Sequence, residues 1–231
     1  MICKHLRNVI CVLIGFLCGA VDGAQLPDLV ARLGKLDGKS AICAAVHIED
    51  RTSKTEDGDG KLLEKADFTI TADANALTVA VVGKISDSRV FREFSMLRAG
   101  ELAQYGPALA RELDGLKLIE NRAGSHKGVS CRHWRLKSQE KQKKFGFSTS
   151  TVKDVELWIG ADGYPLAGSF KTQTKGRMLL FKFSAGSTRN QRYERLGTRL
   201  VLVHDKNETD VDSRAGKEKR TITTTVTVKK S

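Results

Sequence analysis

Two short stretches carry the residues best suited to metal or thiol chemistry. Cys43 and His47 stand four apart, and Cys131 and His133 two apart. Thiolate and imidazole are zinc's usual ligands. Both stretches alternate like strands, and four residues along a strand span about 13 Å at ~3.3 Å each. Ligands of one zinc ion, on bonds of ~2–2.3 Å, must lie within about 4 Å of each other. A metal site at Cys43 and His47 therefore fails on reach, and no cofactor is expected. Cys43 and Cys131 are the candidate disulfide. The other cysteines fall in the first 18 residues, and an even pair in an exported chain reads first as one bond, with two unpaired thiols as the alternative.

Other chemistry-bearing patterns fail on spacing. Gly34-Lys35-Leu36-Asp37-Gly38-Lys39-Ser40 has three residues before its Gly-Lys pair, where a phosphate-wrapping loop needs four, and it runs from helix to strand. Glu56-Asp57-Gly58-Asp59-Gly60 clusters carboxylates as a hard cation wants, but the turn glycine and the distal glutamate of a calcium loop are missing. His204, Asp205, Glu208, Asp210 and Asp212 read as a solvated connection between the last two strands. No Gly-x-Ser-x-Gly elbow exposes a serine nucleophile. Only carboxylates brought together from distant positions keep a hydrolase open, since such pairs need not be near in sequence. The chain reads as a non-enzymatic protein.

These residues are carried by an exported precursor. Lys4 and Arg7 precede an apolar run from Val9 to Ala20, and small residues surround a cut after Ala24. The run is shorter than the ~20 residues a spanning helix needs. Residues 1–24 are read as a signal peptide and 25–231 as one domain, a monomer placed in the periplasm or secreted. Formal charge is +12 over 231 residues, with clusters at Lys141, Lys143, Lys144 and at Lys217, Lys219, Arg220. Such charge favours an anionic envelope surface. Nucleic acid is disfavoured by the leader and by the lack of aromatics interleaved with these clusters.

The elements follow from periodicity. Leu29, Val30, Leu33 and Leu36 predict a helix over Pro27–Leu36, stopped by Gly38. A second helical stretch runs from about Glu101 to Asp114, interrupted at Gly106–Pro107 and ended by Gly115. Val90, Phe91, Phe94 and Leu97 suggest a further turn or two. Strands are predicted at Ala41–Glu49, Phe68–Ala72, Leu77–Val82, Leu116–Arg122, Val129–Lys137, Val155–Ile159, Leu166–Thr174, Met178–Ser184, Thr198–His204 and Arg220–Val228. Turns are expected at Asp73–Ala76, Gly124–Gly128, Ala161–Tyr164 and Ala185–Thr188. The last strand sets Ile222, Val226 and Val228 against Thr221, Thr223, Thr225 and Thr227, one buried face and one wet face. Runs of strands with a few helices inserted early indicate an α+β fold. A lipid-spanning barrel is disfavoured, because aromatics are only 6% of residues and several strands carry Lys or Arg on both faces.

Two stretches carry a family resemblance. Gly128-Val129-Ser130-Cys131-Arg132-His133-Trp134-Arg135-Leu136 is a strand entered through glycine. Leu157-Trp158-Ile159-Gly160-Ala161-Asp162-Gly163-Tyr164-Pro165-Leu166 is a strand, an Asp-Gly turn and a proline before the next strand. With the leader and the early helix, the region Leu116–Val203 resembles the periplasmic lipoprotein-carrier (LolA-like) superfamily and related exported bacterial proteins. The resemblance implies a strongly curved antiparallel sheet, an incomplete β-barrel, with two or three helices packed on its concave side over an apolar cavity. Leu157, Ile159, Phe170, Leu179, Phe181 and Phe183 are the residues expected on that concave face, either packing as core or meeting a ligand. The function expected is binding or carriage of a lipid, a lipoprotein or another apolar ligand. The alternative is a cell-envelope interaction protein using its basic surface on anionic partners.

Overall fold

A computed structural model describes residues 25–53, 61–83, 90, 94–144, 147–178, 181–213 and 216–229. The proposed leader, the glycine-rich acidic residues 56–60 and Leu179 lie outside them. In chain order the elements are α1 (Leu26–Gly34), β1 (Ile42–Ser53), β2 (Lys61–Ala72), β3 (Leu77–Val82), α2 (Met96–Ala103), α3 (Gly106–Leu113), β4 (Lys117–His126), β5 (Val129–Lys144), β6 (Phe147–Ile159), β7 (Pro165–Met178), β8 (Phe181–Leu196), β9 (Arg199–Ser213) and β10 (Gly216–Val228). The fold is α+β: one ten-stranded antiparallel sheet with three helices among the described residues.

The strands lie in the order β3-β2-β1-β10-β9-β8-β7-β6-β5-β4. Seven strands from β4 to β10 form an uninterrupted meander, and β1 joins it by pairing with β10. The chain between β3 and β4 must pass from one edge of the sheet to the other. α2 and α3 lie in that crossing. Turn chemistry closes the hairpins. Asp73 Oδ1 accepts from the Asn75 and Ala76 amides at 2.7 and 2.8 Å, fixing the β2–β3 turn. The β4–β5 hairpin turns on Lys127 and Gly128, at φ 50° and 81°. A two-residue hairpin that matches strand twist needs positive φ at both positions, which glycine supplies without strain.

One face of the sheet carries the core. Alternation along β1 buries Ala44, Val46 and Ile48, and along β2 it buries Ala66, Phe68 and Ile70. Leu29 and Leu33 of α1, Leu102 of α2, and Leu109 and Leu113 of α3 join them. α1 packs on α3, and α2 touches β2, β3 and β9. Gly106 permits the close approach of α3 to α1. A Cβ there would stand 2.9 Å from the Leu33 carbonyl oxygen.

The sheet is much longer than the helices. β5 and β8 have 16 residues each, about 50 Å at ~3.3 Å per residue, whereas α2 and α3 have 8 each, about 12 Å at 1.5 Å per residue. The helices therefore cover one half of the inner face. The β2–β3, β4–β5, β6–β7 and β8–β9 turns lie at the covered end. The β1–β2, β5–β6, β7–β8 and β9–β10 connections lie at the other, and the edge strands β3 and β4 stop short of it.

Several expectations need correction. Cys43 and Cys131 are both free. They sit on β1 and β5, six strand spacings apart, or about 29 Å along the sheet at ~4.8 Å each. A disulfide needs Cα atoms about 5–6 Å apart. The expected turn at Ala185–Thr188 lies mid-strand in β8, and the expected strand Met178–Ser184 spans the end of β7 and the start of β8. β5 runs on past the predicted strand end at Lys137 to Lys144, and β6 begins at Phe147, eight residues before the predicted start at Val155. His204 to Asp212, expected to be a solvated link, is the body of β9, and Asp205 is only 5% exposed.

Candidate functional site

The β9–β10 ladder ends at the pair Thr225–His204. Beyond it β10 follows β1, and the edge of β9 is left without a strand partner. Unpaired backbone groups in a core are costly, so something else must meet them. The Gly38 amide donates to Thr198 O at 3.2 Å, the Tyr105 amide to Leu200 O at 2.7 Å, and the Leu200 amide to Gln104 Oε1 at 2.9 Å. The α2–α3 junction is thus fastened into the sheet, with Tyr105 fully buried over β8 and β9.

A polar network grows from this junction across one inner row of the sheet. Thr224, Asp205, Gln191 and Gly168 are neighbours in register on β10, β9, β8 and β7. Arg189, two residues before Gln191, donates to both Asp205 carboxylate oxygens through Nε and Nη2 at 2.8 and 2.9 Å, and to Glu112 through Nη1 at 2.9 Å. Arg98 of α2 donates to Asp205 at 2.7 Å. The Tyr105 hydroxyl donates to Glu112 at 2.7 Å, and its ring lies under the Arg189 guanidinium. Gln191 bridges the hydroxyls of Tyr105 and Tyr193.

Asp205, Arg189, Tyr105 and Tyr193 each hold one protonation state near neutral pH. Burial pushes Asp205 up, but the hydrogen bonds and charges of Arg189 and Arg98 outweigh it and hold its carboxyl below the usual range. Burial works against the Arg189 charge, and Asp205 more than restores it. Burial raises both tyrosine phenols well above their ordinary value. The site offers fixed charges and hydrogen-bond donors.

Two clefts flank Arg189 and Ser187. One, of about 480 Å³, is walled by Ile48, Val90, Phe94 and Ile222, with Arg98, Arg189, Asp205, Asn207, Arg220 and Thr224 completing its lining. Arg220 is held bidentate by buried Asp50, through Nε at 2.9 Å and Nη2 at 2.6 Å. The other, of about 440 Å³, lies between α3 and the strands β6 and β7, lined by Ala108, Val155 and Phe170 beside Glu101, Glu112 and Lys153. Volumes of this size fall in the range of small-molecule sites.

The residues expected on the concave face are distributed unevenly. Leu157 and Ile159 are core, 0% and 3% exposed. Phe170 is half-buried and lines the second cleft. Phe183 shares the inner face with Arg189 but lies three rows further out, packed over Gly176. Phe181 opens β8, paired with Met178, and Leu179 lies outside the described residues. Of the residues that form the network, sequence reasoning noted Asp205 alone and assigned it to a solvated link. A signal was present: Arg189, Gln191 and Tyr193 alternate at period two, as do Asp205 and Asn207.

His47 and His133 lie on the opposite face. His47 Nδ1 is 2.7 Å from Asp67, which with Glu49 raises its pKa against a smaller effect of burial. His133 and His126 flank the Trp158 indole at 5.3 and 5.0 Å.

No protein-family model matches this chain, and no curated protein is significantly similar to it.

Proposed function

We propose that the protein is an exported, non-enzymatic binding or carrier module for a lipid, a lipoprotein or another apolar or amphipathic molecule. The observation that carries this reading is the 480 Å³ cleft, where an apolar wall of Ile48, Val90, Phe94 and Ile222 meets fixed donors on Arg98 and Arg189. An apolar pocket with a few convergent polar groups is the usual form of a small-molecule site. The wall suits an acyl or similar chain, and the guanidinium edges suit a hydrogen-bonding head.

The finer architecture belongs to the same proposal: the sheet curls into an incomplete barrel around α2 and α3. In a flat sheet β3 and β9, four spacings apart, would be separated by about 19 Å. Yet α2 touches both, through Gly100 beside Leu77 and through Arg98 on Asp205. Arg199 of β9 likewise donates to the Ser40 carbonyl and to Asp73 O, at the β2–β3 turn. The resemblance to LolA-like carriers, with its cavity on the concave side, is consistent with this curl.

Native mass spectrometry of the protein purified from its own envelope fraction tests the reading. A co-purifying lipid or other apolar molecule is expected, and it should be lost from Ile222→Arg, which places a charge on the cleft wall. Bare protein from the wild-type chain, together with no uptake of a fluorescent fatty acid, would overturn the carrier reading.

A further inference from the structure

The uncovered end of β5–β8 has a chemistry of its own. Number the rows back from the β5–β6 and β7–β8 tips. The first row contains Lys144, Phe147, Met178 and Phe181, and the third contains Gln142, Thr149, Gly176 and Phe183. Phe147 is 37% exposed and stacks at 6.3 Å with Phe183. Gly176 lets the Phe183 ring lie flat across β7, since a Cβ there would meet the ring at 2.2 Å.

The second and fourth rows face the other way. The second contains Lys143, Ser148, Arg177 and Lys182, and the fourth Lys141, Ser150, Lys175 and Ser184. All five cations are exposed. Among the described residues of these two rows the only carboxylate is Asp212, at the β9 end of the fourth. At ~3.3 Å per residue the cations stand about 3 and 10 Å behind the foremost aromatic row. Phe147 in the foremost row, backed at those depths by cations on the other face, matches a bilayer whose acyl boundary lies just beneath anionic head-groups. A soluble polyanion would meet the lysines but leave the phenylalanines no partner.

We propose that this end of the sheet docks on an anionic lipid surface, with Phe147 and Phe183 entering the interface and Lys141, Lys143, Lys175 and Lys182 meeting the head-groups. The docking is independent of whether the inner cleft holds a ligand. It presents the covered half of the molecule, with its clefts, away from the membrane plane.

Co-sedimentation of the full chain with vesicles tests it. Binding is expected to phosphatidylcholine–phosphatidylglycerol vesicles and not to phosphatidylcholine alone, and it should weaken as salt rises. The pair Lys175→Glu and Lys182→Glu should reduce partitioning by well over tenfold, from about fivefold for each cation removed. Phe147→Ser should reduce it about tenfold with the salt dependence retained. Phe147→Trp should show a blue-shifted emission, quenched by brominated lipid, on anionic vesicles only. Thermal melts of each variant must match the wild type, because no substituted side chain lies in the core. Equal binding to neutral and anionic vesicles would overturn the proposal. So would binding that dextran sulfate abolishes but Phe147→Ser leaves unchanged, which would assign the lysines to a soluble polyanion.

Discussion

The covered and uncovered halves of this sheet are built from the same strands, yet they solve different problems. Under the helices, inner rows read Ala66, Ile48, Thr224, Asp205, Gln191, Gly168, Leu157 and Trp134, and nearly all are buried. Six residues further out along each strand the inner row becomes Glu218, Val211, Ala185, Thr174, Thr151 and Glu140, and none of these is buried. Thr151 and Thr174 hydrogen-bond each other at 3.1 Å. Backbone ladders hold the outer half, and hydrophobic burial holds the inner one. Stability and chemistry are therefore separated along the strand axis.

Substitutions in matched pairs sharpen that contrast. Asp205→Ala strands the guanidiniums of Arg98 and Arg189 without their shared carboxylate, so urea unfolding should show a loss of about 3–5 kcal/mol. Asp212→Ala, on the same strand but exposed, should stay within about 0.5 kcal/mol. Leu157→Ala, which empties a fully buried position, should cost about 2–5 kcal/mol. Val211→Ala, 42% exposed in the outer half, should cost under about 1 kcal/mol by the same measurement. If the outer member of either pair proves as costly as the inner one, the division of labour fails.

Titration gives smaller effects. Asp205 has a lower pKa folded than unfolded, so its contribution is complete above the unfolded value near 3.9 and is lost as pH falls toward the folded one. The acid limb of a stability–pH curve should therefore be shallower in Asp205→Asn than in the wild type. His47, raised mainly by its hydrogen bond to Asp67, works in the opposite sense. Its contribution is present below about pH 6.5 and is lost as pH rises through the raised folded value. Solvent screening keeps this below about 1 kcal/mol, since the side chain is 43% exposed. His47→Gln should flatten that limb. Reductant should change nothing. With Cys43 and Cys131 unbonded, melting temperatures with and without dithiothreitol should coincide.

The same division explains what the sequence made legible. Most strands announce themselves where they cross the core, because burial of one face enforces alternation, as at Ile222, Val226 and Val228. β8 is the exception: its core half, Arg189–Leu196, sets Gln191 and Tyr193 rather than aliphatic side chains on the buried face, and it does not read as a strand. The outer halves of the strands have no buried face to enforce alternation. The predicted strands therefore stop at Lys137 and start only at Val155, and Ala185–Thr188 reads as a turn, although Ser138–Lys144, Phe147–Asp154 and Ala185–Thr188 all continue the ladder. The network around Asp205 was hidden for a related reason. Its partners come from α2, α3, β8 and β9, up to 107 residues apart, and charge on a strand ordinarily signals solvent. The disulfide reading failed on topology, since nothing in the spacing of two cysteines reveals that five strands lie between theirs.

The position of β10 has a consequence for how the chain assembles. The strands β1 to β3 and β4 to β9 form two blocks whose strands join only through the last one, with Ala44 paired to Val228 and Thr209 to Arg220. The two blocks of strands cannot complete one continuous ladder until the thirteen residues of β10 are available. The N-terminal block must wait through the making of all the others. The molecule is closed like an arch, by the stone laid last.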